Sequence, residues 1–337
     1  MLKRMNVLRG KKILITGGTG SLGTALTKRL LKEDVDVIRI FSRNENKQVM
    51  MQEQFSDSRL RFFIGDVRDR ERLQRALQDV DILFHAAALK HVPVIEYNPF
   101  EAIKTNVIGT QNVLEASLDQ DVGIVVGIGT DKAVSPLNTY GATKLIMEKL
   151  FVTVNNYVNP KHNRTRFYAV RYGNVVGSSG SVIPKFIEQI KKYNKITITD
   201  PKMTRFSITM DEALDFILNT LAKAKGGEVF VPKMRAYRID VLKEVLFELL
   251  GKAKVQKIPI RPGEKIHEAL INHDEVRYTL ESKEDYMIVG PLEKISKLPH
   301  RFKNYHRASF DSEYSSNKVQ LIPKNELKEI IKTSSLL

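Results

Sequence analysis

The chain has 337 residues, 42% of them apolar, a formal charge of +15 and no cysteine: enough length to bury a core as one large domain or two, and no thiols for disulfides or thiolate metal sites, as suits a reducing compartment. No window approaches the roughly 18 consecutive apolar residues of a membrane span and no signal-peptide stretch opens the chain, so a cytoplasmic protein without membrane contact is expected. The Lys and Arg residues are scattered and seldom interleaved with aromatics, which argues against nucleic acid and leaves acidic small substrates or a plain basic surface to account for the charge.

Residues 11–16 (KKILIT) read as a strand that runs into Gly17-Gly18-Thr19-Gly20-Ser21-Leu22-Gly23 and then a helical pattern through Ala25, Leu26, Leu30 and Leu31. Glycines at 17, 20 and 23 permit a tight turn, close approach to a pyrophosphate and close helix packing, with the anion at the helix N-terminus. A second strand, 35–41, ends in Ser42-Arg43-Asn44-Glu45-Asn46-Lys47. A fold that prefers NAD carries Asp or Glu at this strand end to hold the ribose 2′-hydroxyl; Ser42 and Arg43 instead suit a 2′-phosphate and predict NADP. Glu45 would take the NAD role if the turn were longer. A third strand, 61–64, leads to Gly65-Asp66-Val67, with Asp66 placed to reach an adenine amino group.

A fourth strand, 81–84, opens into His85-Ala86-Ala87-Ala88-Leu89-Lys90-His91, where the small residues Ala86 and Ala87 let a cofactor lie against the strand end. His85 and His91 lack a third ligand at useful spacing, so no metal site is expected. Residues 101–118, which include Asn106, form an amphipathic helical pattern, and a fifth strand, 122–128, delivers Gly129 and Thr130. Strands alternating with helices predict an α/β fold, a doubly wound parallel sheet whose ligands lie beyond the C-terminal strand ends.

The stretch TDKAVSPLNTYGATK, 130–144, gathers a hydroxyl, an acid beside an amine, and a phenol with a second amine. Pro136 breaks any helix there, and Asn138 or Thr139 caps a new one from Tyr140 to about Val154, placing Tyr140 and Lys144 on one face. On its own this pair is a common surface pattern. Downstream of a nucleotide-binding turn it reads as a phenol whose pKa the Lys144 ammonium lowers, so that it removes a proton from an alcohol during hydride transfer. A sixth strand, 166–172, exits through Gly173-Asn174-Val175. Residues 1–177 are read as the cofactor domain, with a returning strand near 228–232, and 178–337 as a smaller, interleaved substrate domain. The basic segment 300–318, with His300, Arg301, Lys303, His306 and Arg307, is read either as a cover over the substrate or as a mobile tail.

The blocks TGGTGSLG, SRNENK, GDVRD, HAAALKHVP, KTNVIGTQNV, TDKAVSPLNTYGATK, RYGNVVGSSGSVIP, DPKMTRFSIT and RPGEKIHEAL, in this order, resemble the configuration-inverting UDP-N-acetylglucosamine 4,6-dehydratases, which are extended short-chain dehydrogenases/reductases. The resemblance implies a nucleotide-sugar dehydratase that makes a 4-keto-6-deoxy sugar for pseudaminic acid or related glycans and keeps NADP bound throughout. It assigns the sugar O4 proton to Tyr140, aided by Lys144 and Thr130, the C5 proton to Lys132 as base, and the C6 hydroxyl to Asp131 as acid. Cofactor contacts are implied at Gly17, Thr19, Gly20, Ser21, Leu22 and Gly23, at Ser42, Arg43, Asn44 and Lys47, at Asp66 and Val67, and at Ala86, Ala87, Lys90, Asn106 and Val175. Substrate contacts are implied at Lys90, Lys132, Asn174, Lys185, Arg205 and Arg261. Relatives often have Ser where this chain has Gly129, and they assemble as homo-oligomers. An acid beside an ammonium is ordinarily made more acidic, so Asp131 needs burial, or a neutral Lys132, to donate a proton. The competing readings are a UDP-sugar 4-epimerase, which needs no Asp131–Lys132 pair, a partial dehydratase releasing a 5,6-ene, and, from another class, an NADP-binding regulator or nucleic-acid binder.

Overall fold

The computed structural model describes residues 7–159, 164–178, 180–290, 302–334 and 336–337. Ten strands form its main sheet: β1 (Lys12–Thr16), β2 (Val37–Ser42), β3 (Leu60–Ile64), β4 (Ile82–His85), β5 (Ile124–Ile128), β6 (Arg166–Val170), β7 (Glu228–Pro232), β8 (Thr279–Glu281), β9 (Asp285–Val289) and β10 (His306–Arg307). The spatial order is β10-β8-β9-β7-β6-β5-β4-β1-β2-β3. The seven strands from β7 to β3 are parallel, and β9, β8 and β10 extend that sheet antiparallel. Parallel strands covered on both faces read as continuous apolar runs, and Ile13, Leu14 and Ile15 of β1 are accordingly fully buried.

The order reverses between β1 and β4, which opens a crevice beyond their C-terminal ends. The glycine turn after β1 and the alanines after β4 meet there. Gly17 has φ +66°, and a Cβ on it would lie 2.9 Å from the backbone of Ala87, so only glycine allows the two strand exits to approach this closely.

The second half of the chain interleaves further than one returning strand, since β8, β9 and β10 join the main sheet as well. A separate apolar cluster brings together Ile183, Phe186 and Ile190 of the helix Val182–Tyr193, Leu242 and Leu246 of the helix Ile239–Leu250, and Leu327 and Ile331 of the helix Lys324–Thr333. Short strands Asn174–Val175, Thr204–Ile208 and Arg235–Arg238 form a three-stranded sheet, and Ala269–Ile271 pairs with Tyr314–Ser315.

Two expectations change. The helical pattern at 101–118 is interrupted by a π-helical turn, Ile103–Ile108, between Pro99–Ala102 and Gly109–Asp119. The basic segment is neither cover nor loose tail where it is described: His306–Arg307 is an edge strand, Tyr314–Ser315 is paired, and no residue from 302 to 318 lines the main cavity. His300 and Arg301 lie outside the described residues. No helix among the described residues is long and apolar enough to cross a membrane.

Candidate active site

A cavity of about 700 Å³ runs from the glycine turn along the strand ends to Asn174, Val175 and Ser181. Its first part is lined by Gly17, Thr19, Gly20, Ser21, Leu22 and Gly23. The helix Ser21–Leu30 starts here from Gly20 with no side chain capping it, so its N-terminal amides and dipole are directed at whatever anion enters. Ser42, Arg43, Asn44 and Lys47 line the wall beyond β2, while Glu45 is exposed on the following helix and does not line it. Asp66 and Val67 follow. Burial tends to raise the Asp66 pKa, but hydrogen bonds from Arg68, at 2.7 and 3.0 Å, hold it below the usual carboxylate range. Ala86, Ala87 and Lys90 line the wall after β4. This is a cradle with the turn, the amides and the basic strand end that a dinucleotide needs.

Asn106 is not on the wall. Its side chain accepts from the Leu89 amide at 2.8 Å and donates to the Leu89 carbonyl at 2.9 Å and to Thr143 at 3.0 Å, so it fixes the loop that carries Lys90. His85 is buried and neutral, its pKa pushed down to about 3 by burial and then by Lys144. Its ring nitrogens meet Thr16 at 2.8 Å and Thr110 at 3.1 Å, an arrangement of packing and not of ligation. No group of three or more potential metal ligands occurs among the described residues.

The reactive groups stand at the inner end. Asn138 caps the helix Thr139–Thr153 through the Gly141 amide, and Thr130, Asp131, Lys132, Tyr140 and Lys144 share the cavity wall with Asn174. Thr130 donates to Asp131 at 2.9 Å and lines the cavity with the Tyr140 phenol. Lys144 does not do what its spacing predicts: its ammonium donates to the Ile128 carbonyl at 2.6 Å and to Met147 Sδ at 3.0 Å, and burial lowers its pKa to about 8. The Tyr140 pKa is pushed up to about 12 by burial, with Lys132 and Thr130 pulling the other way. The expected lowering by Lys144 is therefore absent from the protein alone; desolvation exceeds it.

Lys132 Nζ donates to Asp131 at 2.9 and 3.0 Å, sits 3.4 Å from Asn174 Oδ1, and is 3.2 Å from Glu268 Oε1. Burial disfavours its charge, yet the two carboxylates raise its pKa above the usual lysine value, so it rests as a cation and not as a free base. Asp131 is 1% exposed, and burial raises its pKa despite the neighbouring ammonium. Burial, and not neutrality of Lys132, is what pushes this acid toward holding a proton.

Three expected substrate residues stand apart. Arg205 is buried behind the wall, donating to the carbonyls of Thr204 at 2.8 Å and Ile266 at 3.1 Å, with Glu264 at 3.6 Å. Lys185 and Arg261 do not line the cavity; burial and then the Arg261 charge lower the Lys185 pKa, so the two cations are neighbours. Several residues carry no sequence signal of their role: Tyr172, which lines the cavity near Tyr140, Glu268 behind Lys132, and the buried set Glu148, Arg171 and Glu275. That set also accounts for Gly129, because a Cβ there would fall 2.4 Å from Glu148 Oε1.

The profile of a family described as polysaccharide biosynthesis protein matches residues 13–290. The chain is 47% identical over 291 residues to a UDP-N-acetylglucosamine 4,6-dehydratase (inverting) of Campylobacter jejuni, covering 86% of this chain and 85% of the relative. It is also 39% identical over 328 residues to a UDP-glucose 4-epimerase of Rickettsia typhi, covering 96% of each. The crystal structure of Pen from Bacillus thuringiensis superposes with TM-score 0.90 at 40% identity, covering 98% of this chain and 99% of that one.

Proposed function

The chain belongs to the polysaccharide biosynthesis protein family, and from that premise we propose that it is a UDP-N-acetylglucosamine 4,6-dehydratase that inverts C5 and serves the synthesis of pseudaminic acid or a related surface glycan. One observation carries the proposal: the Asp131–Lys132 pair occupies the same wall as Thr130 and Tyr140, at the end of a dinucleotide cradle. A nicotinamide cofactor bound in that cradle supplies a hydride acceptor for C4 of the sugar and a donor for C6. Ser42, Arg43 and Lys47, with no carboxylate among them, favour NADP over NAD.

The residues divide the remaining work. Tyr140 takes the O4 proton; its resting pKa of about 12 makes it a weak base alone, and a positive charge nearby brings it into range. Lys144, tied to the Ile128 carbonyl on the cavity wall, would hold the cofactor's ribose. The new C4 ketone acidifies C5, where Lys132 acts as base once its proton is lost, and Asp131 protonates the departing C6 oxygen. Asn174 and Lys90 hold the sugar nucleotide. A 4-epimerase reading rests on the Rickettsia relative's name; it uses Tyr140 and Thr130 but leaves Asp131, Lys132 and Glu268 without a task. Incubation with UDP-N-acetylglucosamine in deuterated water, followed by NMR, separates the two. Deuterium at an inverted C5 beside a C6 methyl group is expected, and a product altered only at C4, with hydrogen retained at C5, would overturn the proposal.

A further inference from the structure

Glu268 precedes the strand Ala269–Ile271, far in sequence from Asp131 and Lys132, yet it is 3% exposed and reaches Lys132 Nζ at 3.2 Å. Its Oε2 is buried with no hydrogen-bond partner. A carboxylate in that state costs stability by a few kcal/mol. Such a cost is retained where the group acts on a neighbour. Its backbone is held on both sides by Ser316, whose hydroxyl accepts from the Glu268 amide at 2.9 Å and whose amide donates to the Glu268 carbonyl at 2.8 Å.

We propose that Glu268 is a positioning residue for the dehydration: it engages the Lys132 ammonium from a second element, so that Asp131 keeps the proton it delivers to the departing C6 oxygen. This inference rests on the dehydratase reading above. Two carboxylates converge on one ammonium. With Glu268 ionised, the Lys132 charge is already balanced, and a second buried negative charge on Asp131 would stand without full compensation. Arg205, 3.6 Å from Glu264 and 3.9 Å from Glu268, and Lys265, which donates to the Val134 carbonyl and faces both carboxylates, draw on Glu268 and favour its ionised form, while Tyr140 is neutral. The raised pKa of Asp131 and the lowered pKa of Glu268 agree with this division. In the elimination, the O–H bond of Asp131 breaks and its proton goes to the leaving hydroxyl, which departs as water with the C6–O electron pair. Lys132 first passes its extra proton to Glu268 Oε1, 3.2 Å away, and the free amine then takes the C5 proton, whose C–H bonding pair becomes the new C5–C6 double bond.

Glu268→Gln keeps size and removes the competing charge. Asp131 then faces an unbalanced ammonium and loses its proton more readily. The activity limb that falls with rising pH should move down by about one pH unit, so that kcat above the limb drops about tenfold while KM stays within about twofold. Glu268→Asp should restore part of the limb. An activity-independent measurement separates this idea from the dehydratase reading: infrared difference spectra of the holoenzyme should show a protonated buried carboxyl that Asp131→Asn abolishes. In Glu268→Gln the same band should titrate away at lower pH. An unmoved band and limb, or no Asp131 band in the wild-type protein, would overturn the role of Glu268 whether or not UDP-N-acetylglucosamine is turned over.

Discussion

Arg171→Leu is the most direct test of how the catalytic helix is held. Arg171 is 2% exposed and donates to Glu148 at 2.6, 3.1 and 3.2 Å, to Glu275 at 2.9 Å from two nitrogens, and to the Leu270 carbonyl at 2.9 Å. Glu148 belongs to the helix that carries Tyr140 and Lys144, one turn beyond Lys144. Glu275 keeps its capping bond with Asn272 in the variant, so the loss falls chiefly on Glu148, a buried carboxylate left without its cation. Breaking such a pair costs about 3–5 kcal/mol, out of a total stability of roughly 5–15 kcal/mol. At about 2 °C per kcal/mol for a chain of this size, Tm should drop by about 6–10 °C in a thermal melt. Burial already raises the Glu148 pKa in the native protein, and loss of Arg171 raises it further. A carboxyl whose folded pKa lies above its unfolded value stabilises at low pH and loses that stabilisation as pH rises through the folded pKa. The deficit of the variant should therefore narrow as pH falls through the raised Glu148 pKa. Arg171→Leu combined with Glu148→Leu should recover most of the loss, since apolar replacement of a whole buried pair is often near neutral. A single variant melting within about 2 °C of wild type, with no pH slope, would refute the reasoning.

In the proposed reaction Tyr140→Phe would remove the proton acceptor for O4, and kcat should fall by about 100-fold or more with cofactor affinity unchanged, as read by turnover and by fluorescence titration of the cofactor. Gly129→Ser places a side chain 2.4 Å from Glu148 Oε1 and 2.6 Å from the Val170 carbonyl; it should lower Tm by several degrees, and shortening Glu148 to Asp should recover only part of that because the backbone contact remains. Lys144 has a folded pKa of about 8 against an ordinary value of 10.5. The unfolded chain binds more protons between these values, so this group makes stability rise with pH from about 8 to 10.5, and Lys144→Met should flatten that part of the curve in urea titrations.

The cofactor cradle was readable because each of its demands has a local signature: a glycine where Gly17 must pass Ala87, small side chains at Ala86 and Ala87, and a basic strand end at Ser42 and Arg43. The Tyr140 helix was equally plain from Pro136, Asn138 and the spacing to Lys144. The electrostatics were not. Spacing puts Lys144 on the face of Tyr140 but says nothing of the Ile128 carbonyl that receives its ammonium, and no pattern in the chain announces that Tyr140 is desolvated. Arg205 was named as a substrate contact from a matching block, and only its bonds to Thr204 and Ile266 show that it stands behind the cavity wall. Glu268 and the Glu148–Arg171–Glu275 set are pairings across more than a hundred residues in part, and their separation hides them from any local reading.

The clasp of Ser316 on Glu268 bears on biosynthesis of the protein itself. The glycine turn and the strand ends of β1 to β5 that line the cavity come early in the chain, but Glu268, beside Lys132, acquires its backbone clasp only when residue 316 emerges. A chain cut short before residue 316 lacks the two backbone hydrogen bonds that hold the carboxylate facing Lys132, however much of the sheet it has formed.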